Sequence, residues 1–308
     1  MSIIFEDFTI NYGSFCAVDH LTFKLPEGTT GLLGPNGAGK SSLIKGLLGL
    51  IESTEGSARI MGNDIKARKK YIRQLIGYMP EDNCLVPGLT GVGMVQYAGE
   101  LCGMSRQNAI QRAHEILYLV GLEEARYRKV ESFSAGMRQR IKLAQALVHD
   151  PKFLFLDEPT SGMDPKGRQE MLDLIVEIAD KGRMSILVAT HILTDVERTC
   201  ERVVIMHRGK IVENSGVDEV RKSYANTYSV RVTSNTDKFL EYLKRNKCRI
   251  TDSGKGVYDV TLAEKTDTNV ILRAAKETDA ELRKLVPSVR SLEDVFIKRI
   301  LEGTSADI

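Results

Sequence analysis

This chain lacks any long uninterrupted run of apolar residues, although 42% of its 308 residues are apolar. No stretch approaches the roughly 18 apolar residues that a membrane-spanning helix needs, so we expect no transmembrane segment. The first residues, Met1 to Asp7, have neither a positively charged start nor an apolar core, and they do not predict a signal peptide. The length and the formal charge of +2 instead predict a large buried core divided between two domains.

Cysteine is also scarce. The five cysteines are isolated along the chain and odd in number, which argues against a disulfide framework or a metal site. We expect buried thiols in a reducing compartment. The cysteines are Cys16, Cys84, Cys102, Cys200 and Cys248.

A glycine-rich segment between a predicted strand and a predicted helix carries the clearest chemical signal. It matches G-x-x-x-x-G-K-[ST] from Gly34 to Ser41, after strand-like residues 29–33. Its glycines allow successive N–H groups to turn inward at a helix N-terminus, which favours bound anions. We therefore expect a nucleoside triphosphate here, with Lys40 on the β and γ phosphates and the Ser41 hydroxyl on Mg²⁺. The predicted phosphate-binding residues are Gly34, Pro35, Asn36, Gly37, Ala38, Gly39, Lys40, Ser41 and Ser42.

A continuous apolar segment closed by two acids predicts a strand buried on both faces of a parallel sheet. Residues 153–156 are apolar, and Asp157 and Glu158 follow them at the end where such sheets bind ligands. Asp157 is predicted to hold Mg²⁺ through water, and Glu158 to polarise the attacking water as general base. The alternative is that Glu158 caps a following helix, which Pro159 disfavours because it fixes a turn.

A second helix start, at Ser134, predicts another anion site. Ser134 is a natural N-cap for a helix with one apolar face that ends before Pro151, yet the glycine loop already serves the phosphates of its own subunit. The run Ser134-Ala135-Gly136-Met137 resembles the signature loop of ABC ATPases, as a variant of the usual Ser-Gly-Gly-Gln. That resemblance implies a head-to-tail dimer in which each signature loop contacts the γ-phosphate bound by the other subunit.

Three further segments extend the resemblance over residues 1 to about 215. Tyr12 resembles the aromatic residue that stacks on adenine, although a half-buried strand tyrosine is the alternative. Asp164, in Ser161-Gly162-Met163-Asp164, resembles the D-loop that crosses the dimer interface. His191 follows the β-rich residues 186–190 and resembles the switch histidine that contacts the γ-phosphate; the alternative is a core histidine.

The chain departs from the family pattern at Glu81, which follows Gly-Tyr-Met-Pro where glutamine is usual. The resemblance places this residue between the Mg²⁺ and water shell and the transmembrane partner, and exporter-type subunits often carry glutamate here. Two carboxylates about 4 Å apart repel by roughly 4 kcal/mol at an effective dielectric near 20, whereas a divalent cation attracts about twice as strongly. The effect of Glu81 therefore depends on whether it approaches the metal or Glu158; a solvated loop acid is the alternative.

The predicted fold is α/β, a P-loop NTPase core of ABC ATPase type over residues 1–215 with a helical subdomain at about 89–145. A helix capped by Ser105 and followed by Gly121 belongs to that subdomain. Residues 216–308 predict a small α+β appendage, with strands at 228–232 and 257–262 and helices at 237–246 and 269–276. A final helix is predicted after Ser291, with an apolar stripe at Leu292, Val295, Phe296 and Ile300.

The resemblance implies a subunit that binds and hydrolyses ATP with Mg²⁺ and powers transport through a separate transmembrane permease. It also implies a second ATP-binding subunit, with a homodimer expected, and a peripheral location on the cytoplasmic face of the cell membrane. The alternative is a soluble ABC ATPase acting on nucleic acid or ribosomes, which typically carries long coiled coils or two ATPase modules. Only one phosphate loop and no heptad run occur here, and we interpret the basic run at 66–73 as a solvated helix face rather than a nucleic-acid site.

Overall fold

The computed structural model divides the chain into two compact units, Met1–Ser215 and Gly216–Ile308. It describes residues 2–181, 184–220, 227–254, 256–263 and 266–287. Within those ranges, no helix has the length and apolar character required to cross a bilayer.

The first unit is built on two sheets. One has the strand order β10-β9-β3-β8-β7-β6, and its neighbours from β9 to β6 pair in parallel. The other has the order β2-β1-β4-β5 and pairs antiparallel. The strands are β1 (Ile3–Tyr12), β2 (Phe15–Leu25), β3 (Thr29–Leu33), β4 (Glu55–Ile60), β5 (Asn63–Asp64), β6 (Ile76–Met79), β7 (Phe153–Asp157), β8 (Ser185–Thr190), β9 (Arg202–His207) and β10 (Lys210–Gly216).

Seven α-helices lie between these strands along the described part of the chain. They are α1 (Lys40–Leu47), α2 (Lys69–Leu75), α3 (Gly91–Leu101), α4 (Arg106–Leu119), α5 (Ala135–Leu147), α6 (Pro165–Asp180) and α7 (Leu193–Thr199).

The parallel strands nearest the site are buried along their whole length. Every residue of β3, β7 and β8 is buried, as expected for strands covered on both faces. Helix α1 shares one apolar core with both sheets, and this core includes Leu43 and Ile44 of the helix with Phe8 and Phe155 of the strands. Burying side chains of this size stabilises the fold by about 1.5–3 kcal/mol each. The start of α1 is therefore fixed rigidly beside the ends of β7 and β8.

The helical segment between β6 and β7 contains α3, α4 and α5, with two short 3₁₀ helices, Glu124–Tyr127 and Val130–Ser132, before α5. Hydroxyl side chains cap all three α-helices: Thr90 accepts from Gly93, Ser105 from Asn108 and Ser134 from Met137. The predicted helix after Ser105 is confirmed, and Gly121 follows it with a φ of 71°.

The last of these helices also packs closely on the parallel sheet. A Cβ atom at Gly77 of β6 would lie 2.0 Å from the carbonyl oxygen of Ala146 in α5. Only glycine permits this approach, so α5 and β6 are held against each other.

In its described ranges, the second unit contains a four-stranded antiparallel sheet in the order β12-β13-β11-β14 with two helices between its strands, and residues 217–220 are also helical. With the helices between strands, the chain order is βαββαβ, the ferredoxin-like arrangement. The unit has its own core, in which Val230, Phe239, Val260 and Ile271 are buried. Its elements are β11 (Thr227–Val232), α8 (Thr236–Arg245), β12 (Arg249–Asp252), β13 (Val257–Thr261), α9 (Asn269–Thr278) and β14 (Leu282–Pro287).

Two strands of this unit were not expected from the sequence. β12 is short and mostly exposed, and β14 has no strict alternation of apolar and polar residues, so neither carries a period-2 signal. The helix predicted after Ser291 and its apolar stripe lie outside the described residues.

All five cysteines are free. The predicted burial is correct for Cys200 and Cys248 but wrong for Cys16 and Cys84, which are exposed. Cys16 lies near the start of β2 beside the turn from β1, and Cys84 lies in the loop after β6. Positions in and beside connecting loops leave side chains in water irrespective of residue type.

A chain that ends at Ser215 should fold and bind ATP with unchanged affinity, because the core of the second unit, as far as the structure describes it, is built from residues between 228 and 285. The measurement is titration with a fluorescent ATP analogue, with the full chain as the control. A truncated protein that folds but does not bind the analogue would place part of the nucleotide site in the second unit.

Candidate functional site

The glycine loop connects β3 to α1 and is shaped by close packing on neighbouring strands. Gly37 and Gly39 have φ values of 81° and 104°, the left-handed region that glycine adopts without strain. A Cβ at Gly39 would lie 2.1 Å from the carbonyl oxygen of Ala17. No side chain caps the start of α1, so its first N–H groups are available to an anion.

Lys40, the first residue of α1, is 6% exposed and turns its ammonium group back over the loop. Nζ donates to the carbonyl oxygens of Gly34 at 2.7 Å and Pro35 at 3.3 Å. It also lies 3.6 Å from Oε1 of Glu158, which is equally buried. A buried ammonium is stable only with such partners, and the geometry places its charge where the loop receives phosphate.

Glu158 lies directly after β7, and its backbone conformation is unusual. Its φ is 49°, a conformation that costs free energy for a residue with a side chain and that clusters at functional sites. Nδ1 of His191 lies 3.0 Å from both carboxylate oxygens, and the Thr190 hydroxyl donates to Oε2 at 3.4 Å. The alternative role as a helix cap is wrong, because the next helix begins only at Pro165. His191 is half exposed, which excludes a core histidine.

Asp157 ends β7 beside the start of α1. Burial raises the pKa of its carboxyl, and the nearby Glu81 and Glu158 carboxylates raise it further, whereas a hydrogen bond from Ser41 and the charge of Lys40 lower it. Its Oδ1 atom is buried and has no hydrogen-bond partner in the described part of the chain. Hydroxyl and carboxylate oxygens are the ligands that Mg²⁺ prefers, so an unpartnered buried oxygen beside two other acids fits a hydrated magnesium ion.

Lys40, Asp157 and Glu158 line one cavity of about 370 Å³ at the carboxyl edge of the parallel sheet, whereas His191 contacts Glu158 without lining the cavity itself. The cavity brings together the predicted loop residues from Asn36 to Ser42 with Glu81, Asp157 and Glu158. Glu81 is exposed at its wall. The lining residues are Phe15, Ala17, Asn36, Gly37, Ala38, Gly39, Lys40, Ser41, Ser42, Glu81, Asp157 and Glu158.

An aromatic side chain that the sequence analysis missed lies on the cavity wall. Phe15 lines the cavity and is 59% exposed, whereas Tyr12 lies at the end of β1 with its hydroxyl 3.3 Å from Ser42 Oγ. They pair across β1 and β2 on either side of the two-residue turn that joins these strands. The closeness of Phe15 to Tyr12 in the sequence was the signal that could have predicted its place in the site. Both aromatic side chains lie beside the glycine loop.

The signature residues lie away from this cavity in the single subunit. Ser134 caps α5, and none of the residues 134–137 lines the cavity. Asp164 precedes α6 as its N-cap and does not line the cavity either. The Gln139 side chain of α5 donates to the Ser161 carbonyl oxygen at 2.8 Å, so α5 and the loop before α6 are directly connected.

A buried acid of α7 that the sequence analysis missed connects this helix to α6 and to the residues after β7. Asp195 of α7 is fully buried, accepts from the Thr160 hydroxyl at 2.7 Å and from Arg168 Nε at 2.9 Å. Thr160 follows β7 and Arg168 belongs to α6. A satisfied buried ion pair of this kind fixes relative positions more than it adds stability.

Comparison with known proteins gives two family matches. A family described as ABC transporter matches residues 18–161, and the C-terminal domain of DrrA1-3-like ATP-binding proteins matches residues 216–300.

Relatives match along nearly the whole chain. The bacitracin transport ATP-binding protein BcrA of Bacillus licheniformis is 33% identical, over 97% of this chain and 97% of its own. The daunorubicin/doxorubicin resistance ATP-binding protein DrrA of Streptomyces peucetius is 30% identical, over 96% and 91%. A solved ATP-binding subunit of an ABC transporter superposes with a TM-score of 0.65 at 29% identity, over 73% of this chain and 94% of its own.

These matches confirm the predicted P-loop fold of ABC ATPase type. The chain therefore belongs to the ABC transporter family as one of its ATP-binding proteins, and it is an ATPase.

Proposed function

We propose that this ATPase powers an exporter-type transporter whose membrane-spanning part is a separate permease, and that it works with Mg²⁺ on the cytoplasmic face of the membrane. The observation that carries the proposal is the 33% identity to a bacitracin transport ATP-binding protein over 97% of both chains. The similarity to a drug resistance ATP-binding protein over 96% of the chain supports the same class. No feature of the described residues favours nucleic acid or ribosomes, and part of the basic run is used internally, since Lys69 pairs with Glu52 at 2.6 Å.

The cavity residues divide the chemistry of hydrolysis between them. Lys40 exchanges the loop carbonyl oxygens for the β and γ phosphates, and Glu158 accepts a proton from the attacking water. His191, in contact with both Glu158 oxygens, orients that carboxylate. Ser41, Asp157 and Glu81 would hold Mg²⁺ and its water shell, and the bound ion would offset the phosphate charge that develops during transfer.

The second phosphate contact comes from another copy of the chain. In this proposal, Ser134 to Met137 and the D-loop around Asp164 face the nucleotide of the partner subunit, so that ATP binding closes a head-to-tail dimer. The support is geometric: a capped helix start with the signature pattern has no phosphate to serve in its own subunit. Closure of the dimer then moves the permease.

For the ferredoxin-like unit we propose support or regulation of the dimer. It has an independent core and carries none of the groups that line the nucleotide cavity. Removing it should weaken dimerisation and transport more than nucleotide affinity.

The partner is tested by purifying the chain from detergent-solubilised membranes under gentle conditions and identifying what accompanies it. The expected companion is a polytopic membrane protein that stimulates ATP hydrolysis. Recovery of ribosomes or nucleic acid, with binding that weakens steeply as salt rises, would contradict transport and support the nucleic-acid alternative.

Replacing the proposed base, Glu158→Gln, should preserve ATP binding and lower turnover by about 10²- to 10⁴-fold, the usual contribution of a general base. This corresponds to roughly 3–5 kcal/mol of barrier. The binding surface survives because Lys40 and the loop are unchanged. Steady-state hydrolysis beside an ATP-binding titration measures both, and a turnover above about a tenth of the wild-type rate would remove Glu158 from this role.

The head-to-tail dimer predicts that Ser134→Arg abolishes ATP-dependent association in the Glu158→Gln background and leaves monomer ATP affinity intact. Ser105→Arg is the matched control, because Ser105 caps α4 with the same 3.3 Å hydrogen bond and each loss of a cap costs about 1 kcal/mol. Sedimentation with ATP gives the dimer fraction. Equal fractions for the Ser134 and Ser105 variants would contradict the shared site.

A further inference from the structure

The loop after β6 receives its side-chain anchors from the helical segment. The Lys142 ammonium of α5 donates to the Glu81 carbonyl oxygen at 2.9 Å, and the Glu131 carboxylate accepts from the Gly88 N–H at 2.6 Å. Between them, the Val86 N–H contacts the sulfur of Met94 in α3 at 3.4 Å. The loop is thus connected to α3, α5 and the turn before α5, while its second residue, Glu81, lines the nucleotide cavity.

Lys142 is unusual among these anchors because it is a buried lysine. It is 5% exposed, although lysine is rarely this buried without a partner. Burial lowers the pKa of its amino group, and the neighbouring carboxylates of Asp82, Glu81 and Asp157 act in the opposite direction. Its hydrogen bond fixes the backbone of Glu81, not the carboxylate, so the Glu81 side chain remains free to project into the cavity.

We propose that Lys142 is a positioning residue for ATP hydrolysis: it ties the backbone of Glu81 to α5 and so keeps the Glu81 carboxylate at the magnesium shell. The inference rests on the proposed role of Glu81. Through Lys142, α5, which begins at the signature loop, is directly connected to the magnesium side of the nucleotide site in the same subunit. A displacement of α5 relative to β7 would then move Glu81 away from Asp157.

Three physical roles for Lys142 predict different results. If Lys142 is a positioning residue, losing its hydrogen bond weakens metal binding, and this weakening occurs only when the Glu81 side chain is present. A simple counter-charge to Asp157 and Glu81 means that removing the positive charge strengthens metal binding. A purely structural role means lower stability with no selective effect on the metal.

The test uses the full chain with a non-hydrolysable ATP analogue and Mn²⁺, whose free concentration is measured by electron paramagnetic resonance. Lys142→Met should weaken Mn²⁺ binding by about tenfold, the lower end of the effect of groups that orient metal ligands. Affinity for the analogue in EDTA should not change. Lys142→Arg, which keeps a donor, should restore most of the Mn²⁺ affinity.

His149→Phe is the matched control. His149 follows α5 and its Nε2 lies 3.2 Å from the Ile76 carbonyl oxygen, so it anchors the opposite end of β6. This change should lower the melting temperature without changing Mn²⁺ affinity. If Lys142→Met does not fold, Lys142→Gln provides the same comparison.

Glu81→Ala separates this inference from the proposed function. Glu81→Ala and the Glu81→Ala/Lys142→Met double variant should bind Mn²⁺ equally weakly. Unchanged affinity in Glu81→Ala would overturn the metal role of Glu81 and the inference with it. Weakening by Glu81→Ala without weakening by Lys142→Met, additive losses in the double variant, or tighter binding by Lys142→Met would each overturn the inference alone.

Discussion

The buried contact between Lys40 and Glu158 is the constraint on which the site depends. Both groups are nearly inaccessible and their charged atoms lie 3.6 Å apart, while the ammonium also binds two carbonyl oxygens of its own loop. Removing the Lys40 ammonium would leave the Glu158 carboxylate buried without its cation, which is destabilising, whereas Glu158→Gln leaves the ammonium its two carbonyl acceptors. The contact therefore holds the glycine loop, the end of β7 and, through His191, the end of β8 in one arrangement.

The charges around this contact explain why the site suits a metal-bound triphosphate. Asp157, Glu158 and Glu81 line the cavity with Lys40 as the buried cation that faces them. Burial and the neighbouring acids raise the pKa of Asp157, which means that its charged form is disfavoured until positive charge arrives. In the proposed function, Mg²⁺ would supply that positive charge, while Lys40 and the α1 N-terminus would attract the negatively charged phosphates. Cavity chemistry and fold family thus point to the same reaction.

Local patterns predicted much of this site because its parts follow short sequence rules. The loop needs glycines at fixed spacing, and β7 and β8 are apolar runs followed by Asp157, Glu158 and His191. Contacts between distant segments left no such signal: Lys142 reaches Glu81 across 61 residues, and Asp195 meets Thr160 across 35. A single lysine or a single acid within a helix is ordinary in a sequence. β12 and β14 were missed for a related reason, since pairing with β13 and β11 rather than their own pattern makes them strands.

A crystal structure of the full-length Glu158→Gln protein with ATP and Mg²⁺ tests the central claim most directly. We expect Lys40 Nζ to leave the Gly34 carbonyl oxygen for the phosphates, and Ser41 and Asp157 to face the metal. Ser134 of the partner subunit should then lie against the γ-phosphate. ATP bound elsewhere, or Lys40 still bound to Gly34 beside an occupied cavity, would contradict the account.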